Sequence, residues 1–381
     1  MKITDVKTYI TQLPGRGPWQ FVEVYTDEGL TGLGECTWSA GNFLIQQVVE
    51  SVKPLVVGQD PANIEEIWQL IYRRHLRIGG RGPVSAAISG IDIALWDIKG
   101  KALCVPVYQL LGGPVRESVP LYTHVQDARQ DATIDEAIAM ALATKADGHQ
   151  AIKTDPFLDM TTSGKFKGAS LVEKLTPAAI SYAVEWVSAL REALGPDFEL
   201  MIDAHARFDV ASAIAAARAL EPLGLTWFEE PVPQESYVAL KEFRENTNVA
   251  VSVGESLFTR YDFVPIFEER LADFVMPDIA WTGGISELRR IAAMAESYYV
   301  PFTPHDAIGP VAIASTFQVC MATPNLYRQE CLHNWFDDFA TIVTPMFEHH
   351  DGAIWPSDRP GIGIELIHEE VERHAVSGHM S

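Results

Sequence analysis

The chain has 381 residues, 47% of them hydrophobic and 21% charged, a length at the edge where single cores stop growing, so two domains are expected. Its 29 basic and 51 acidic residues leave a net charge of −22, which argues against duplex nucleic acid or an anionic membrane surface as a partner. The sequence has no apolar run of about 18 residues. Its four cysteines, Cys36, Cys104, Cys320 and Cys331, make no CxxC pair, so a soluble, reduced, cytoplasmic protein is the expectation.

Along the chain, Lys2 to Ile10 and Phe21 to Tyr25 alternate as strands, and Asp27-Glu28-Gly29 turns into a third strand over Leu30 to Glu35. Apolar residues at i, i+3, i+4 spacing predict helices over Asn42–Leu55, Ile64–Leu76 and Val84–Leu103, with a stop at Gly112-Gly113-Pro114. From about residue 118, short β-rich runs alternate with Ala-rich helical stretches, the signature of βα units on a parallel sheet. Strand-like runs end near His124, Lys153, Asp203, Glu229, Glu255, Asp278, His305 and Glu330, eight ends over a length that suits a (β/α)8-type barrel. The Gly-, Lys-, Ser- and Thr-rich stretch from Pro156 to Lys174 reads as an extra loop of the kind that forms lids.

In a barrel the carboxyl ends of different strands share one site, so Asp203, Glu229 and Glu255, each 26 residues from the next, should converge. Three close carboxylates repel, and an oxygen-only donor set suits Mg2+, one ion per subunit. Asp278 and His305 on neighbouring strand ends would make an orienting hydrogen bond, which creates a general base. His205 lies two residues beyond Asp203 and faces the same side, open to a role as fourth ligand, general acid or buried partner. Lys153 at a strand end is placed to contact a substrate carboxylate or hydroxyl.

The segments Met201-Ile202-Asp203-Ala204-His205, Trp227-Phe228-Glu229-Glu230-Pro231 and Ser252-Val253-Gly254-Glu255-Ser256 resemble the mandelate racemase branch of the enolase superfamily. The resemblance covers nearly the whole chain. It implies a (β/α)7β modified TIM barrel with an N-terminal α+β capping domain. The expected division is 1–115 for the cap, completed by about 355–381, and 116–354 for the barrel. It further implies Asp203, Glu229 and Glu255, but not Glu230, as Mg2+ ligands, with Asp278 and His305 as orienter and base.

Sugar-acid dehydratases of this branch, of galactonate and gluconate type, carry a histidine two residues after the first ligand, so the resemblance makes His205 the acid that protonates the departing hydroxyl. Asp155 stands where racemases have the second lysine of a Lys-x-Lys pair, which argues against a two-base racemase, and Asp155 joins the candidates for substrate contact. Trp281 departs from the dehydratases compared and would reshape the pocket. Glu330 either polarises the enediolate or is a structural acid. From the cap, Trp19, Trp38, Arg77 and Arg81 on Gly-rich loops are candidate substrate contacts.

The expected reaction is Mg2+-dependent dehydration of an aldonic or aldaric acid to a 2-keto-3-deoxy acid. Epimerisation, lactone cycloisomerisation and a non-catalytic metal-binding role on the same fold are the alternatives. A hydrolytic zinc barrel is disfavoured, because the first barrel strand has no His-x-His pair. The expected partner is the sugar acid itself, with no nucleic acid and no membrane. By the resemblance the protein is a homo-oligomer, such as an octamer.

Overall fold

A computed structural model describes residues 1–38, 41–125, 132–157 and 174–376. The chain starts as an antiparallel meander of β1 (Ile3–Thr11), β2 (Trp19–Thr26) and β3 (Thr31–Glu35). Helices α1 (Asn42–Val56), α2 (Ile64–Arg74) and α3 (Pro83–Leu103) pack behind it, within one or two residues of the predicted bounds. Alternation along β1 and β2 places Val6, Val22 and Val24 against Ile45, Val49, Ile88 and Ile91. Full burial of each such side chain contributes roughly 1.5–3 kcal/mol. Glycine is required where β3 meets α3, since a Cβ on Gly32 or Gly34 would lie 2.0 Å from the Ala94 carbonyl oxygen or 1.9 Å from that of Gly90.

The second part is a parallel barrel. Strands β4 (Val119–His124), β5 (Ala151–Thr154), β6 (Glu199–Asp203), β7 (Trp227–Glu229), β8 (Val251–Val253) and β9 (Phe274–Val275) follow one another in the sheet. Val275 bridges Phe302 and Phe302 bridges Leu326, after which β10 (Gln329–Cys331) pairs with β4 and closes the ring. A helix follows each of the first seven strand positions and none separates β10 from closure, which gives the (β/α)7β order.

Local chemistry starts these helices. Thr133 forms a capping box with Glu136 ahead of Ile134–Ala146, and Thr176, Asp209 and Ser236 each accept a backbone N–H in the first turn of the next three. Each such cap contributes about 1 kcal/mol. Tyr122, Met201, Trp227 and Met276 fill the barrel interior and form a floor.

The ladder is shorter than the sequence suggests at three places: β8 ends at Val253, β9 at Val275, and the seventh position at Phe302. Glu255, Asp278 and His305 therefore sit where each strand opens into its loop. The C-terminal segment returns to the cap, where Gly361 exchanges backbone hydrogen bonds with Val105 and Val107 and Ala375 bridges Thr11.

Among the described residues four indole donors join cap and barrel, Trp19 to Ile308 O, Trp68 to Gly283 O, Trp96 to Ser286 Oγ and Trp281 to Thr37 O, at 2.9, 2.9, 2.9 and 2.8 Å. Glu35 at the end of β3 accepts the N–H groups of Val311 and Ala312 at the start of Pro310–Met321, a favourable place for an acid. Among the described residues no helix is long and apolar enough to cross a membrane. Residues 158–173 of the expected Pro156–Lys174 loop lie outside the described residues.

Candidate active site

Asp203 ends β6 and Glu229 ends β7, and the parallel register pairs them directly. Glu255 follows β8 through Gly254, whose φ of +141° and tight neighbours, Met276 N and a Phe263 ring carbon each 3.0 Å from an ideal Cβ, admit only glycine. One carboxylate oxygen from each of Asp203, Glu229 and Glu255 lies within 4.8 Å of the other two. Burial, then the negative charge of Asp203, drives the Glu229 carboxyl well above its ordinary value. Asp203 moves the other way despite burial, because His205 and Lys153 favour its charged form. Three mutually repelling oxygen donors fit a hard divalent cation, which would occupy the space they share. Glu230 stands apart, with one oxygen accepting the Gly254 N–H at 2.9 Å.

Lys153 is fully buried on β5. Its ammonium donates to Glu229 and lies 2.7 Å from Glu330 and 3.3 Å from Asp203. Burial works against its charge, but the surrounding acids outweigh burial and hold the ammonium well above its usual range. It is an internal counter-ion to the triad. Glu330, on β10, bridges this lysine, His124 at the end of β4 and the Asp306 N–H.

His305 Nδ1 lies 2.6 Å from Asp278 Oδ2, and Asp278 is itself fixed by accepting the Ala280 N–H at 2.7 Å as the cap of Ile279–Thr282. With Nδ1 held, Nε2 faces the centre, 3.4 Å from Glu255 and 3.8 Å from Glu330. Burial opposes protonation, yet Glu330, Glu255 and Asp278 together raise the imidazole well above its ordinary value. Trp281 packs on the imidazole with ring centres 5.3 Å apart and stacks on Trp38 of the cap at 5.6 Å.

His205 sits on the Asp203 side of the triad. Its Nδ1 lies 3.0 Å from Asp155 Oδ2 and 3.5 Å from Asp203 Oδ1, and Arg207 grips both oxygens of Asp155 at 2.9 and 2.7 Å. His205, Ala206 and Glu230 all have positive φ, at 49°, 53° and 42°. Such strain in non-glycine residues gathers where function over-determines the backbone.

Beside His205 a cavity of about 760 Å³ is lined by Gln234, Tyr237, Phe258, Asp262 and, from the cap, Arg81. Arg81 is held there by donating to Asp262.

Three expected substrate contacts are corrected. Trp19 is not on a loop but opens β2, buried to 1% exposure among Trp335 and Phe339, with its indole N–H given to Ile308. Arg77 lies on the exposed turn Leu76–Ile78 and does not line the cavity. Asp155 is fully buried, its carboxylate facing Arg207, the Phe157 N–H and His205, so it positions His205 rather than meeting substrate.

The sequence reading missed His124 and Arg207 as members of the site. His124 had a signal, since it ends one of the eight strands; Arg207 had none, because the chain turns at His205 and Ala206 instead of continuing the strand.

Residues 135–371 match the family described as enolase C-terminal domain-like, and residues 12–112 match the mandelate racemase/muconate lactonizing enzyme N-terminal domain. A D-galactonate dehydratase of Xanthomonas euvesicatoria is 36% identical over 98% of this chain and 94% of its own. A D-xylonate dehydratase of Haloferax volcanii is 34% identical over 99% and 90%.

Among solved structures, a mandelate racemase/muconate lactonizing enzyme-like protein from Rubrobacter xylanophilus superposes with a TM-score of 0.89 at 34% identity, covering 98% of both chains. A 3,6-anhydro-D-galactonate cycloisomerase from Zobellia galactanivorans gives 0.87 at 28%, over 99% of this chain and 100% of that one. With both domains matched in order, the chain belongs to the mandelate racemase and muconate lactonizing enzyme family of the enolase superfamily, and relatives named as dehydratases match it along nearly its whole length.

Proposed function

We propose that the protein dehydrates a sugar acid to a 2-keto-3-deoxy acid with Mg2+ held by Asp203, Glu229 and Glu255. The observation that carries this reading is the placing of two histidines about one carboxylate triad, His305 beside Glu255 and His205 beside Asp203, each with its own buried aspartate.

A hydrogen α to a carboxylate is very weakly acidic, and the bound cation would supply the charge stabilisation that makes its removal feasible. His305 Nε2 takes the proton from C2, while Asp278 fixes the tautomer and stabilises the imidazolium that forms. Lys153, with Glu330 behind it, balances part of the negative charge that Asp203 and Glu229 gather at the metal position. His205 donates a proton to the C3 hydroxyl as the C3–O bond breaks and C2=C3 forms. Water leaves, and the enol product tautomerises to the 2-keto acid. Asp155 and Arg207 hold His205 in place for that transfer.

The test incubates the Mg2+-loaded protein with a panel of aldonic and aldaric acids, including D-galactonate and D-xylonate, and assays 2-keto acid. Turnover of at least one acid, abolished by His305→Asn with Mg2+ binding retained, is the expected result. No turnover across the panel with Mg2+ binding demonstrated refutes the reading.

Cycloisomerisation is the second reading, favoured by the likeness to the Zobellia enzyme. It shares proton abstraction but expels a ring oxygen that stays in the molecule, so conversion of a 3,6-anhydro sugar acid to an isomer of unchanged mass, with no dehydration of the open-chain acids, would select it.

A further inference from the structure

We propose that the loops following β7 and β8, roofed by Arg81 of the cap, form a distal polyol subsite in which Gln234 reads a hydroxyl near the far end of the substrate and so selects its chain length. The inference rests on the sugar-acid reading above.

The cavity of about 760 Å³ begins at His205, the group assigned to C3, and runs to Arg81 and Asp262. Carbons beyond C3 are therefore the part of the substrate that faces it. Most of its polar wall is already tied together. Asp262 accepts from Arg81 and from the Phe258 N–H at 3.2 Å, and the Tyr237 hydroxyl donates to the Asp262 carbonyl at 2.9 Å.

Glu235 on the same wall is exposed, and Gln234 differs from it. Its amide oxygen and nitrogen are both buried, and neither has a hydrogen-bond partner among the described residues. Leaving such groups unmet is costly, so the position calls for a ligand that offers a donor and an acceptor together. A hydroxyl does so; a carboxylate, which only accepts, would leave the amide oxygen unmet. Arg81 supplies additional donors beside it, since only one of its nitrogens is engaged by Asp262 among the described residues. Arg81 sits between Gly80 and Gly82, and the positive φ of 61° at Gly82 turns the chain there before α3 begins.

The experiment compares wild type with Gln234→Leu, and with Gln234→Ser in case the first fails to fold. The probes are six-carbon D-galactonate and four-carbon L-threonate, matched in configuration at C2 and C3. KM is measured for both, and calorimetry gives the affinity of the Mg2+-loaded protein for each. Loss of a hydroxyl hydrogen bond predicts a rise of about tenfold in the KM and Kd of D-galactonate relative to those of L-threonate. An unchanged ratio between the two acids overturns the subsite. If wild type turns over neither acid, the dehydratase reading fails for them while the subsite is judged by calorimetry alone. A selective loss of D-galactonate affinity then supports it, and equal affinities in both proteins, or binding of neither acid, overturn it.

Discussion

Arg207 and Asp155 allow a sharp test of how the acid side of the site is held. Their side chains are 7% and 0% exposed, and one guanidinium nitrogen, Nη2, reaches both carboxylate oxygens at 2.9 and 2.7 Å, so the pair belongs to the buried class. An exposed pair of the same residues would contribute about 0–1 kcal/mol. Removing one member of a buried pair instead strands a charge and costs about 3–5 kcal/mol.

Arg207→Met should therefore destabilise by about 3–5 kcal/mol, and Asp155→Asn, which leaves the guanidinium unmatched, by a similar amount. In the double variant no charge is stranded, and the cost should fall to about 1–2 kcal/mol, so the two single effects are far from additive. Urea unfolding followed in parallel by circular dichroism and tryptophan fluorescence measures all four proteins. Single variants that cost less than about 1 kcal/mol, or effects that simply add, would refute the assignment of a buried, mutually dependent pair.

Two further outcomes follow from the geometry. His149 is 6% exposed, and burial followed by the nearby charge of His333 lowers its imidazole to about 4. The folded protein thus resists a proton that the unfolded chain accepts below its ordinary 6.5, so stability is retained above pH 6.5 and falls as pH drops toward 4. The full loss is about 3 kcal/mol, and a His149→Phe variant whose stability varies as much as wild type over that window would contradict this origin. Gly254→Ala should displace Glu255 and weaken Mg2+ binding at least about tenfold, since a Cβ meets Met276 N at 3.0 Å in a conformation alanine resists. Calorimetric titration with Mg2+ checks it, and unchanged affinity would show that Glu255 does not depend on this turn.

The ring of site residues was legible because a parallel barrel gathers strand ends, so residues far apart in sequence needed only their spacing to be assigned together. The (β/α)7β order followed for the same reason. Period two pointed from Asp203 to His205, but the strand ends at Asp203 and the chain turns through left-handed His205 and Ala206, so a turn and not alternation brings Arg207 to Asp155. What the sequence concealed was pairing over long separations. That Lys153 lies inside the triad, and that Asp155 faces Arg207 rather than the cavity, depends on side-chain reach and not on period. Trp19 beside Gly17 and Pro18 reads as loop, but pairing with Thr11 draws it into β2, where an aromatic ring is worth most when buried. Arg81 meets Asp262 from 181 residues away, a contact set by how the cap sits on the barrel.

Trp281 carries one consequence for redesign. Its ring lies on the imidazole of His305 while its N–H donates to the Thr37 carbonyl of the cap, so one side chain belongs to both halves of the molecule. A chimera that grafts a foreign cap onto this barrel would have to reproduce a carbonyl at that spot, or the indole would lose its anchor and the base its packing surface. Cap and barrel are, in this respect, interchangeable only as a matched pair.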